Sequence, residues 1–500
     1  MKPNDFPKEI RPFLMPFHQG DQEYRCLKCR KTFGIQRLHY TCPDCGAVLL
    51  IHDRNFDALQ QIDGPTWRRI FDYRGMLNIP ALKGVFRYHE LIAPQISMEA
   101  VLYLGEGHTP IVEANAALRK VVGRRFFFKN DGQNPSASFK DRGMAVALSH
   151  INAMVQQGHA DEVLAICAST GDTSAAAALY AAYLSPNIKS AVLLPRGKVT
   201  PQQLSQPLGS GASVFEIPGV FDDCMKVVEA LSEHYNVALL NSKNAWRILG
   251  QESYSFEIAQ ALDYDTDNLV VVVPIGNAGN ITAVMSGFLK LEALGVISAL
   301  PKIIGVQSEH ADPVYRYYRE PDPAKRRFEP VAVRPSVAQA AMIGNPVSMP
   351  RVIRLAEDYD QRAGTTAVYF EQVSEQAIMQ WQLTANRNGH IACTHGGECL
   401  AGLITAIDSG VVSDSEFAVL DSTAHQLKFS GFQQMYFDKQ LPEAYQVEPD
   451  DRLINHPQLV RPSSVKAYPE DGRPLGEEEM SQFVNGVSAE IARRLALKRQ

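Results

Sequence analysis

From residue 125 to residue 421 the chain repeats one pattern, in which short apolar runs bounded by turn residues are separated by segments of helical period. The runs are 125–129, 162–168, 190–195, 212–217, 238–241, 268–274, 302–307 and 417–421, and segments such as 174–183, 221–233 and 281–294 lie between them. A continuously apolar strand is covered on both faces, and a helix between two such strands is the connection that parallel pairing requires. The expected fold class is therefore α/β, with two doubly wound, mainly parallel sheets, since 500 residues suffice for more than one core. Ligands in open α/β sheets bind beyond the carboxyl ends of strands, which places a cleft between the sheets.

A net charge of −6 gives no support to nucleic-acid or anionic-membrane partners. No apolar run reaches the ~18 residues that span a bilayer, and the N-terminal MKPNDFPKEIRPF lacks a signal-peptide core, so a cytosolic protein is expected. Cysteines in that compartment are thiols or metal ligands. Cys26, Cys29, Cys42 and Cys45 form two CxxC pairs twelve residues apart, a spacer slightly shorter than the common ribbon pattern. Each pair points two thiolates at one ion, so the reading is a structural zinc ribbon with no open position for catalysis. The neighbouring Tyr40 and Val48 to Ile51 suit a small β-ribbon. Cys167, Cys224, Cys393 and Cys399 have no metal spacing.

Chemistry gathers in five stretches. In 129–143, KNDGQNPSASFKDRG, Lys140 follows a polar loop and opens an apolar helical run, which is how a Schiff-base lysine is presented. In 274–280, PIGNAGN, the glycines Gly276 and Gly279 let backbone approach an anion, with donors from Asn277, Asn280 and the helix start near residue 281. In 168–174, ASTGDTS, a strand enters a helix and forms a second anion nest. In 240–251, LNSKNAWRILGQ, Arg247 offers a planar fork suited to phosphate oxygens. The fifth, 422–429, is STAHQLKF, with Thr423 just after a strand. His395 in CTHGGE reads as a local hydrogen-bonding residue, and Phe126 to Phe128 as core.

In order and wording, these motifs resemble the pyridoxal-phosphate enzymes of the tryptophan-synthase-β fold type (fold type II), and among them threonine synthases of the plant-like branch, over roughly residues 20 to 435. The LGEGHTP stretch resembles that family's N-terminal signature, in which Thr109 and Pro110 begin the first strand. The resemblance implies pyridoxal phosphate held by Lys140, with Phe139, Asp172, Gly276, Asn277, Ala278, Gly279, Asn280 and Thr423 around it. It implies a phosphorylated amino-acid substrate held by Ser169, Thr170, Thr173, Asn241, Ser242 and Arg247. A hydroxyl such as that of Thr423 cannot keep the ring nitrogen protonated as a carboxylate does, which favours elimination over transamination. Two positions depart from the pattern. Gln426 stands where the family usually has Gly, and Asp172 stands where many relatives have Asn, so Asp172 is expected either to be protonated or to swing away until substrate arrives.

The implied activity is conversion of O-phospho-L-homoserine and water to L-threonine and phosphate by a homodimer. The alternatives are a cysteate-synthase-like β-replacement on O-phosphoserine and a same-fold dehydratase or ammonia-lyase, the latter disfavoured by GNAGN and Arg247. A non-enzymatic descendant would be expected to lose Lys140. The expected domains are 1–53 with the ribbon, 54–100 as connector, 101–435 as catalytic region with a smaller subdomain at about 140–235, and 436–500 as an extension. Within the extension, 476–497 reads as an amphipathic helix, striped by Met480, Phe483, Val487, Ile491 and Leu495, that packs on the body or on a partner subunit.

Overall fold

The computed structural model describes residues 1–160, 162–169, 171–184, 186, 188–196, 201–219, 221–469, 472 and 474–498. The chain opens with a three-stranded antiparallel ribbon of β1 (Gln22–Cys26), β2 (Thr32–Gly34) and β3 (Leu49–Asp53), in the order β2-β1-β3. Residues 54–100 are largely helical and join the central core through Trp67, Ile70 and Phe71, all buried.

Two parallel sheets follow. The chain lays β4 (Ile111–Glu113) and β5 (Phe126–Asn130), then leaves to build β6 (Val163–Ala168), β7 (Ile188–Pro195), β8 (Ser213–Ile217) and β9 (Val237–Leu239) as a separate four-stranded parallel sheet in the order β8-β7-β6-β9. It returns with β10 (Leu269–Pro274), β11 (Lys302–Ser308), β12 (Val368–Val373) and β13 (Phe417–Ser422). The larger sheet has the order β12-β11-β10-β13-β5-β4 and is parallel except at its β4–β5 edge. All six residues of β10 are buried, as a central strand with helices on both faces requires.

The departure to the smaller sheet begins with the helix Lys140–Gln156 and ends with the helix Ala245–Ala261. These helices pack so closely that a Cβ on Gly250 would stand 2.0 Å from the Arg142 carbonyl oxygen, and one on Gly143 2.9 Å from that of Arg247. The two glycines are what allow the backbones to meet.

Each of the eight apolar runs overlaps a strand. Strand β12 was not anticipated, because VYFEQV is only half-buried along its middle and sits at the sheet edge, where the apolar signal is weak. β4 begins at Ile111, since the Thr109 hydroxyl is drawn inward to Asp131, at 2.6 Å. Residues 449–500 form a second compact unit, in which the helix Glu477–Arg494 has no buried residue and pairs Arg493 and Arg494 with Glu490. Among the described residues no helix is long and apolar enough to cross a membrane.

Candidate active site

Lys140 is the first residue of its helix. The loop that delivers it is laced to the loop after β13, because the Phe139 N–H donates to the Thr423 carbonyl at 2.8 Å and Ser138 bridges to Ala424. Burial and, after it, the Arg247 guanidinium lower the Lys140 pKa to about 7 against the opposing influence of Asp172 and Asp421. Its Nζ lies 3.9 Å from the centroid of the Phe139 ring. The residue as a whole is half-buried. A neutral amine near pH 7 is a nucleophile and a base.

The turn after β10 carries Ala278 in the left-handed region, at φ 61°, as N-cap of the helix Gly279–Ala293. Holding an alanine there costs roughly 1–2 kcal/mol, a strain typical of sites whose backbone shape matters. A Cβ on Gly276 would meet Ala341 Cα at 3.0 Å, which keeps that position bare. Asn280 Nδ2 donates to Asp421 Oδ2 at 2.7 Å, and the Asn277 backbone carbonyl accepts from the Ser348 N–H at 3.2 Å. These contacts brace the turn, and the N–H groups of the helix start are donors suited to an anion.

A second group of candidate site residues follows the ends of β6 and β9. Arg247 is buried, its Nη1 donates to the Leu240 carbonyl at 3.0 Å, and its Nε has no partner among the described residues. Burial lowers its pKa to about 10. A buried guanidinium with unspent donors is a site prepared for an anion. Ser169, Thr173 and Ser242 are half-buried, and Thr170 lies outside the described residues. Asn241 is already committed, since its amide accepts from the Ala168 N–H at 3.0 Å and donates to the Ala168 carbonyl at 2.6 Å. It zips its loop to the end of β6.

Asp172, the first residue of the helix Asp172–Tyr183, is paired with Lys428 at 2.8 Å. Lys428 also donates to the Ser136 carbonyl at 2.9 Å. Neither expectation for Asp172 is needed, because a cation from STAHQLKF meets its charge. Thr423 is buried, with its hydroxyl 3.7 Å from Cys393 Sγ. His395 is buried, its Nε2 has no partner among the described residues, and burial lowers its pKa to about 4. Its titration feels both Asp172 and Lys140, so it belongs to the site. His395 was read from sequence only as a local hydrogen-bonding residue, and Lys428 and Asp421 were not singled out. The signal for Lys428 was its place in STAHQLKF, and for Asp421 its place at the end of an apolar run.

The four ribbon cysteines converge, with Cys26 and Cys45 sulfurs 3.5 Å apart, Cys29 and Cys42 sulfurs 3.6 Å apart, and all four within 4.8 Å. Four sulfurs at ~2.3 Å from one ion in tetrahedral array stand about 3.8 Å apart, so the set fits zinc. Each pair is a tight knuckle. Arg30 N–H donates to the Cys26 carbonyl and Gly46 N–H to that of Cys42, with Arg30 and Gly46 both left-handed at φ 61° and 70°.

Residues 102–420 match the family model described as pyridoxal-phosphate dependent enzyme. The threonine synthase of Methanocaldococcus jannaschii is 34% identical over 406 residues, covering 81% of this chain and 92% of that protein. Threonine synthase 2, chloroplastic, of Arabidopsis thaliana is 34% identical over 439 residues, covering 86% and 80%. Among solved structures, the threonine synthase from Escherichia coli superposes with a TM-score of 0.61 at 20% identity, covering 85% of this chain and 95% of that one. The PLP-bound threonine synthase from Brucella melitensis gives 0.59 at 19% identity, covering 88% and 93%.

Proposed function

Because the chain belongs to the pyridoxal-phosphate dependent enzyme family, and within it groups with the threonine synthases, we propose that the residues gathered around Lys140 divide that reaction among themselves as follows. The reaction is conversion of O-phospho-L-homoserine and water to L-threonine and phosphate, with pyridoxal phosphate as cofactor. When bound, the cofactor supplies an electron sink that makes the carbon-bound protons of the substrate removable. The residues fit that group: beside Lys140 lie an anion-ready turn at Gly276 to Asn280, the buried hydroxyl of Thr423, and the unpartnered hydroxyls of Ser138 and Ser422.

Lys140 holds the cofactor and, once its amine is free, takes the proton from the α-carbon and shuttles protons at the β-carbon. Gly276, Ala278 and Gly279 hold the cofactor phosphate on backbone N–H groups, with Asn277 and Asn280 bracing them. Thr423 would offer its hydroxyl to the ring nitrogen of the bound cofactor. Phe139 and Asp172 border the ring, and Lys428 keeps Asp172 neutralised. Ser169 and Thr170 meet the substrate carboxylate. Arg247, Ser242 and Thr173 receive the γ-phosphate, whose charge grows as its bond to carbon breaks, and Asn241 sets their loop against β6. A structural zinc ion on Cys26, Cys29, Cys42 and Cys45, and a cytosolic homodimer, complete the reading.

The observation that carries the proposal is Arg247. It is a buried cation without a carboxylate partner among the described residues, it depresses the Lys140 pKa, and it is additional to the glycine turn. An enzyme acting on an unphosphorylated amino acid has no use for it. The test is phosphate release from O-phosphohomoserine and from O-phosphoserine, with product identified and Lys140→Ala as control. Threonine formed from the first substrate and abolished in the control is expected. Release from phosphoserine alone overturns the substrate.

A further inference from the structure

The ribbon grips the stretch that carries Asn241, Ser242 and Arg247 at three points. Tyr40, between the two cysteine pairs, donates its hydroxyl to the Val237 carbonyl at 3.0 Å. Trp246, next to Arg247, donates its Nε1 to the Tyr24 hydroxyl at 2.9 Å. The third link is Arg351, in the first turn of the helix Met349–Ala363 and fully buried.

Arg351 spends five N–H donors on five bonds. Nε and Nη2 donate to the Leu49 carbonyl at 3.1 and 2.6 Å, Nη1 to the Ser242 carbonyl at 3.1 Å and Ser348 Oγ at 3.0 Å, and Nη2 to the Lys243 carbonyl at 3.1 Å. Leu49 is the cross-strand partner of Cys26. Ser348 in turn donates its N–H to the carbonyl of Asn277. One guanidinium thus ties β3, the strand paired with Cys26, to the Ser242 loop and to the support of the cofactor turn. All its acceptors are neutral, so its charge is uncompensated, and burial lowers its pKa to about 10. A brace alone has no need of a cation, whose desolvation is costly. A positive charge one peptide from Ser242 has a use if that loop receives an anion.

We propose that Arg351 is a positioning residue through which the metal-bound ribbon sets the affinity of the phosphate subsite formed by Ser242 and Arg247. The inference rests on the reading of that subsite given above. Metal on the four thiolates fixes the end of β1 and, through the Cys26–Leu49 pairing, the Leu49 carbonyl. Arg351 carries that position to Ser242 and Lys243.

The test is calorimetric binding of inorganic phosphate to the full-length holoenzyme, with KM and kcat for O-phosphohomoserine measured in parallel. Arg351→Gln is expected to weaken phosphate binding and raise KM by about tenfold, the size of one lost hydrogen bond to a charged group, with kcat changed less than about twofold and cofactor absorbance retained. Stripping the metal with a chelator, verified by zinc content, is expected to weaken phosphate binding similarly in the parent protein and to add nothing in Arg351→Gln. Unchanged phosphate affinity in Arg351→Gln overturns the proposal, as does full additivity of the two losses. Should Arg351→Gln fail to fold, Arg351→Lys keeps the charge and loses the fork, and the same non-additivity decides. Arg247→Gln separates the premises. If it leaves phosphate binding intact, the subsite reading itself fails; if it abolishes binding while Arg351 variants do not weaken it, only the coupling fails.

Discussion

Lys140 is held at the point where its protonation responds to its neighbours. In the cofactor-free protein its pKa of about 7 makes the amine a nucleophile at neutral pH, so recombination with pyridoxal phosphate should accelerate as pH rises through about 7 and level off above. Stopped-flow absorbance measures this. Arg247→Gln should move the midpoint up, because it removes a neighbour that lowers the pKa, and Asp172→Asn should move it down, because it removes one that raises it. Shifts in the same direction would refute the assignment. The linkage has a definite sign: between about 7 and 10.5 the unfolded chain holds a proton that the folded chain has lost, so this group makes the protein more stable as pH rises through that window. Lys140, Thr423 and Arg247 were legible in sequence because each is a chemical group in a motif of fixed order. Asn241 and Asn280 were legible as polar groups at turns, but their protein partners were not. Whether an amide is free for a ligand depends on what the fold brings beside it, here Ala168 and Asp421. Lys428 was hidden for the same reason, since its partner Asp172 lies far away in sequence.

The helices Lys140–Gln156 and Ala245–Ala261 bring Lys140 and Arg247 together, and Gly143 and Gly250 set their spacing. Gly250→Ala places a methyl group 2.0 Å from the Arg142 carbonyl oxygen. Overpacking of this kind costs about 1–3 kcal/mol or more. Denaturant unfolding should show that loss, and KM for the phosphorylated substrate should rise with it, because the arginine moves with its helix. An unchanged KM in a destabilised protein would separate the crossing from the subsite. Helix and strand order was readable from periodicity, whereas this crossing was not. A glycine inside a helical pattern shows only that something comes close, and never what. Buried charges follow the same division. Arg142 and Lys129 share Glu257, at 2.5, 2.8 and 2.7 Å, and Arg142 also holds Asp131. Glu257→Gln leaves two buried cations with one carboxylate and should cost about 3–5 kcal/mol in denaturant unfolding.

At the scale of the molecule the ribbon shares one core with the catalytic sheets, as the inclusion of Tyr24, Leu49 and Trp246 in a single cluster shows. Cys29→Ser should therefore reduce bound zinc, measured by metal analysis, and lower the thermal midpoint of the whole protein instead of melting a small module by itself. Two separated transitions would contradict this. Both doubly wound sheets could be foreseen from sequence, but not the order of strands in the larger one. That order reflects pairing between distant segments, and nothing in the wording of a strand names its neighbour. It also has a consequence for synthesis. β13, which carries the chain to Thr423, slots between β10 and β5, so the partner of Phe139 and the hydroxyl beside the cofactor are made about 280 residues after Lys140. At roughly 5–20 residues per second a ribosome needs about a quarter of a minute to a minute to cover that distance. Until then β5 has only β4 beside it, and a nascent chain has the lysine but no place for the cofactor to be held. Cofactor capture is a property of the finished polypeptide, and a chaperone that shields the open edges of β5 and β10 during that interval would raise the yield of active protein.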